Sequence, residues 1–181
     1  MAAGASLLLL SACSMFPVHS WLGGSSPTPE ELARLDPAHL RVAVRLPLPV
    51  KPKPGTTMLR IVVTPRAAGS RPEKRTLLLS DLAPGTPTQG LPDAGPGYQW
   101  YAFELPPPGR SVFRSLQAAL GDPASVSARW TRIEMSLKSG YEDAAPGTEI
   151  SRDVWLRTGA DRDYTPLIRK EKVHVDGVGP A

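Results

Sequence analysis

The chain has 181 residues, a formal net charge of +4 and 41% hydrophobic residues, which excludes a disordered polyelectrolyte and leaves enough apolar material for one well-buried core. Its single cysteine, Cys13, excludes an intramolecular disulfide, so packing alone must hold the fold. Arg outnumbers Lys by 15 to 6 and Asn is absent, a bias that matches high genomic GC content and carries no functional inference by itself.

In chain order, the first feature is the apolar run Leu7-Leu8-Leu9-Leu10, closed by Leu10-Ser11-Ala12-Cys13. Residues 1–12 end in small side chains and fall short of the roughly 20 apolar residues a spanning helix needs, so they read as an export signal. The tetrapeptide resembles the lipobox of bacterial lipoproteins, with Leu at the third position before Cys and small residues between. That resemblance implies cleavage before Cys13, a diacylglycerol on its sulfur and acylation of the new amino group. Acyl burial contributes about 0.8 kcal/mol per CH2, and two or more chains anchor stably where one is marginal. Ser14 stands where an Asp would retain an enterobacterial lipoprotein at the inner membrane, so the resemblance points to the outer membrane, with the protein facing the periplasm. No Lys or Arg precedes Leu7, although export signals begin with a positively charged region, which sets the expected true start upstream of Met1.

Residues 13–27 read as a lipidated tether, flexible at Gly23-Gly24-Ser25-Ser26-Pro27. Trp21 is placed to rest at the membrane interface or to stand exposed in the tether. Residues 28–181 are expected to form one antiparallel β-sandwich of about seven strands with one or two short helices. Thr28-Pro29-Glu30-Glu31 has the form of a capping box, predicting a helix from Pro29 to Leu35. Leu40, Val42, Val44 and Leu46 alternate with polar positions and predict the first strand. Met58 to Thr64 and Arg75 to Leu79 follow as strands, and Tyr98 to Phe103, aromatic on both faces, reads as a central one.

Prolines at Pro47 to Gly55, Ala83 to Gly97 and Pro106 to Gly109 predict rigid loops. Val112, Phe113, Leu116, Ala119 and Leu120 share one face of a second helix, with Ser111 as N-cap and Gly121 as stop. Val126, Ala128 and Trp130 alternate on one parity and Ile133, Met135 and Leu137 on the other, which predicts a bulge within one long strand. Ile150 to Arg157 and Leu167 to Val175 predict a final hairpin closed by residues 158–163. Trp100, Trp130 and Trp155 are expected in the core.

Nine basic residues lie between Arg41 and Arg75, against Glu73 alone. An envelope protein with such a segment has anionic lipid, lipopolysaccharide or peptidoglycan, or an acidic protein as its natural partners, while the leader excludes nucleic acid. Arg41, Arg45, Lys51, Lys53 and Arg60 are the expected contacts, with the loop carrying Lys51 and Lys53 first among them. The structural alternative is a solvated strand face that discourages edge pairing. No zinc-ligand spacing, Walker loop, nucleophile elbow or dinucleotide fingerprint occurs, so no metal, cofactor or catalytic residue is assigned. Asp161-Arg162-Asp163 reads as a turn. A hydrolytic site would have to be assembled from scattered groups such as Asp153, Asp161 and His174. The resulting expectation is a non-enzymatic, lipid-anchored accessory protein of the cell envelope, with a binding module for an anionic envelope polymer or lipid as the second reading. In size, anchor and architecture it is similar to small sandwich lipoproteins of secretion machines, including the type VI secretion lipoprotein, an analogy at the level of fold.

Overall fold

The computed structural model describes residues 26–82 and 88–175, so the leader, Cys13, Trp21 and most of the tether lie outside the described residues. The chain enters through α1 (Pro29–Arg34), capped as the sequence predicts: Thr28 N–H donates to Glu31 Oε2 at 2.8 Å and Glu31 N–H to Thr28 Oγ1 at 3.2 Å. It continues through β1 (Arg41–Pro47), β2 (Lys51–Pro52), β3 (Met58–Pro65), β4 (Glu73–Leu78), β5 (Ser80–Asp81) and β6 (Tyr98–Glu104). Two helices follow, α2 (Pro107–Leu120) and α3 (Val126–Arg129), and then β7 (Trp130–Lys138), β8 (Tyr141–Glu142), β9 (Glu149–Arg157) and β10 (Thr165–His174).

The protein is mainly β. An antiparallel five-stranded sheet has the order β10-β9-β1-β6-β5, a three-stranded sheet the order β4-β3-β7, and β2 pairs with β8 as a short ribbon. Alternation explains the layering. Val42, Val44 and Leu46 of β1 and Ile150, Val154 and Leu156 of β9 point inward from the first sheet. They share one buried cluster with Leu59, Ile61 and Val63 of β3 and Ile133, Met135 and Leu137 of β7. Each such side chain, fully buried, stabilises the fold by about 1.5–3 kcal/mol.

The parity change near Trp130 has two parts: residues 126–129 form α3 in place of strand, and the register steps from Thr64–Arg132 to Pro65–Trp130, which leaves Thr131 as an extra residue on β7, a bulge where the sequence predicts one. The other departures from the sequence reading have clear causes. The triplet Pro106-Pro107-Pro108 opens α2 instead of forming a loop, because the first helical turn needs no N–H donors; Ser111 lies inside the helix and donates to Pro107 O. Its buried face is Gly109, Phe113, Leu116 and Leu120, leaving Val112 38% exposed.

Trp100 and Trp155 are not in the inter-sheet core. They lie on the outer face of the five-stranded sheet, edge to face with centroids 5.9 Å apart, where residues 91–97 fold over them and Trp100 Nε1 donates to Pro92 O. Trp130 does pack against the core. The aromatic β6 lies one strand from the edge, with β5 pairing only two of its residues, and β1 is central. The three helices gather at one end: α1 packs against α3, and the Gln117 amide donates to the carbonyls of Leu32 and Leu35.

Candidate functional site

Strand pairing sorts the basic segment onto opposite faces of the sandwich. Arg41 and Arg45 point outward from the five-stranded sheet, and both are neutralised. Arg41 meets Glu104 at 3.0 Å; Arg45 meets Asp153 at 3.1 Å, donates to Ala94 O and lies 3.8 Å from the Tyr98 ring centroid. Lys51 lies on β2, held to β8, where its ammonium is 2.9 Å from Asp143. That contact raises the Lys51 pKa, chiefly through the hydrogen bond to Asp143, but on a solvated surface such a pair contributes little to stability. The segment Pro47 to Gly55 is thus partly a paired ribbon.

Arg60 is different. It points outward from β3, the middle strand of the other sheet, opposite Thr76 on β4 and Ser136 on β7. The same registers put Lys74 opposite Val62 and Lys138 opposite Met58, so Lys74, Arg60 and Lys138 form a diagonal across all three strands. All three are exposed, and none takes part in an ion pair among the described residues. Diagonal neighbours on a sheet are about 7–8 Å apart, which in water costs roughly 0.5 kcal/mol of repulsion per pair. That cost is small enough for the free protein and is reversed by an opposing anion.

One acid shares the face, Glu134, and it is engaged by Arg132 Nε at 3.2 Å. The face therefore carries Arg60, Lys74, Arg132 and Lys138 against Glu134, separated by the hydroxyls of Thr76 and Ser136. Edge protection accounts for cations on the outer strands β4 and β7 but not for Arg60 on the middle one. Lys53 adds to the end nearest Lys138, where its N–H donates to Gly140 O at 2.8 Å and its side chain is exposed.

Of the five expected contacts, the structure brings Arg60 and Lys53 to this side and leaves Arg41, Arg45 and Lys51 elsewhere, each with its own carboxylate. Lys138 was missed because it lies far along the chain from the basic segment. The signal for it was present in the alternation of Arg132, Glu134, Ser136 and Lys138 with Ile133, Met135 and Leu137, which puts all four on one wet face.

Asp153, Asp161 and His174 are not brought together. Asp153 is occupied by Arg45 and the Lys170 N–H, Asp161 lies at the β9–β10 turn, and His174 lies at the opposite end of that hairpin, roughly 30 Å away at 3.3 Å per residue. Among the described residues no group of three or more His, Cys, Asp or Glu converges, and no helix is long and apolar enough to cross a membrane. The chain matches no family model, and comparisons with curated proteins and with solved structures return no match.

Proposed function

We propose that the chain is a non-enzymatic, lipid-anchored accessory protein of the bacterial cell envelope whose three-stranded sheet engages an acidic envelope component. The observation that carries this reading is the diagonal Lys74, Arg60 and Lys138, three exposed cations without carboxylate partners among the described residues, on a sheet face that also carries the hydroxyls of Thr76 and Ser136 and the apolar Met58, Val62 and Leu78. Charged faces favour rapid, salt-sensitive association and orientation of the partner.

Cys13 lies fifteen positions before Thr28, a covalent reach of at most about 50 Å. Thr28 caps α1 beside α3 and so enters at the Trp130 end of β7, whereas Lys138 closes the other end. Lys138 lies at the end away from Thr28 and Lys74 toward the nearer end, and a tether of that reach lets the face turn toward a partner as well as toward the membrane. The second reading, a module for lipopolysaccharide or peptidoglycan, draws on the same diagonal, since a linear polyanion can lie along it.

The test compares solubilised envelopes passed over wild-type protein and over the triple variant Arg60→Ala/Lys74→Ala/Lys138→Ala. A stoichiometric acidic protein, released by salt and lost from the variant, is the expected result. Each cation is worth about 1 kcal/mol against an anionic surface, so the variant should lose roughly a hundredfold in affinity. Salt-sensitive binding of lipopolysaccharide or peptidoglycan fragments in place of a protein would transfer the assignment to the second reading. Equal behaviour of wild type and variant toward every partner would reject both. Intact mass and fractionation of wild type beside Cys13→Ala test the anchor: acylated, membrane-bound wild type and an unacylated variant are expected.

A further inference from the structure

At the end of the basic diagonal, β7 and β10, the free edges of the two sheets, flank a recess of about 340 Å³. This is the lower end of the range for small-ligand sites and too small for a lipid acyl chain together with its headgroup. Its apolar wall is Met58, Leu137 and Val173, and its polar rim is Lys138, Tyr141 and His174. At the back lies Arg152, whose side chain is 4% exposed.

Arg152 is held by three contacts: Glu171 Oε2 at 2.6 Å, Leu137 O at 2.7 Å, and Tyr141 Oη, to which it donates at 2.6 Å. A guanidinium has five N–H donors, so two remain beyond these three. Because Tyr141 accepts from Arg152, its own O–H is left to donate, and among the described residues it meets no acceptor. Glu171 balances one cation at the back, and Lys172 already engages Glu149 at 2.8 Å beside His174. Lys138 thus stands unbalanced among the residues that line the recess, which also supply an unused hydroxyl proton and an apolar wall. The set matches one chemistry, an anionic acceptor attached to a short apolar group.

We propose that this recess binds a carboxylate of the partner protein, from an acidic side chain or a chain terminus, together with the apolar side chain next to it. The assignment rests on the reading above in sharing Lys138 with the basic face, and it names what that face directs into place. The carboxylate accepts from Tyr141 Oη and Lys138 Nζ, and the apolar neighbour covers Met58 and Val173. Size favours this occupant over a lipid.

The test is a titration of the isotope-labelled full-length chain, followed by amide chemical shifts, with N-acetyl-leucyl-glutamate, N-acetyl-leucyl-glutamine and decanoate as probes. The glutamate dipeptide should give saturable shifts at Lys138, Tyr141 and His174, with the glutamine dipeptide weaker by roughly tenfold or more. Lys138→Met and Tyr141→Phe should each weaken glutamate binding several-fold. Arg60→Ala/Lys74→Ala should leave it unchanged while weakening capture of the envelope partner, so the two proposals fail separately. Equal binding of both dipeptides, no saturable response, or saturation by decanoate alone would overturn the proposal.

Discussion

Arg152 is the residue on which the interior is most exposed to failure, because it is a cation inside an otherwise apolar sandwich. Its position is set by alternation: it shares the inward parity of Ile150, Val154 and Leu156 on β9. Desolvation disfavours its charge, but Tyr141 and Glu171 more than offset this and raise its pKa, so it remains a cation throughout the accessible range. Arg152→Met should cost about 3 kcal/mol, since it strips partners from Glu171, Tyr141 and Leu137 O at once, whereas Glu171→Gln should cost less because Glu171 is partly solvated. Urea unfolding of both single variants and the double variant would give a coupling energy of 1 kcal/mol or more, in the range of about 0.5–3 kcal/mol for contacting pairs; additive losses would show that the pair contributes only through packing. Arg157 presents the opposite case. It lies directly across from Arg41, and among the described residues its Nε is buried without a partner, with the Tyr164 ring centroid 5.4 Å away as the compensating contact. Arg157→Met keeps the aliphatic stem and removes both the orphan donor, worth about 1–3 kcal/mol, and the cross-strand repulsion. The variant should therefore be more stable by about 1 kcal/mol in the same urea measurement; a loss of stability would mean that the stack on Tyr164 outweighs both.

At the scale of elements, the helix end at Gly121 shows how local rules and distant contacts meet. The stop was legible in the sequence as a glycine after the last apolar position, and Gly121 adopts φ +84 with its N–H bonded to Gln117 O. What was not legible is that the Arg129 guanidinium folds back onto the last turn and donates to Leu120 O, so close that a Cβ at position 121 would meet it at 1.9 Å. Gly121→Ala therefore combines strain of about 1–3 kcal/mol, at a positive-φ, extended-ψ conformation that only glycine adopts readily, with loss of that cap. Thermal unfolding should shift down by roughly 4–8 °C, and Arg129→Ala in the same background should recover none of the strain component. Strands β1, β3, β9 and β10 were likewise readable, because their alternation is intrinsic to single segments. The short β2, β5 and β8 were not, since two-residue strands exist only through their partners, and α3 imitates a strand because four residues cannot display a helical period.

For the whole molecule, what a single strand cannot display is the sheet it joins. Arg41, Arg45 and Arg60 look like one basic run in sequence, yet the first two leave from one face of the sandwich and the third from the other. The same long-range assembly brings three tyrosines from separate segments into places where ionisation is opposed. Tyr101 reaches Val50 O at 3.2 Å beside the ribbon, Tyr141 accepts from Arg152 at the recess, and Tyr164 packs under Arg157 at the final hairpin. Burial is the leading cause that raises the pKa of each above 10.0, with nearby cations opposing it. A group whose folded pKa exceeds its unfolded value contributes stability that is fully present below the unfolded pKa and lost as pH rises through the folded one. Lys51 and Lys172 shift in the same direction, but as exposed groups they add little. Stability should therefore be flat up to about pH 10 and then fall by up to about 1.4 kcal/mol per unit for each tyrosine still protonated in the fold. Ultraviolet tyrosinate absorbance, followed together with near-ultraviolet circular dichroism, should show these tyrosines ionising cooperatively with loss of tertiary structure. Ionisation of all tyrosines near 10 with the dichroism intact would mean that the sandwich opens locally at these sites without unfolding. Tyr141→Phe separates the contributions: it should remove one component of the alkaline loss while leaving the fold less stable at neutral pH, because Arg152 then lacks one acceptor.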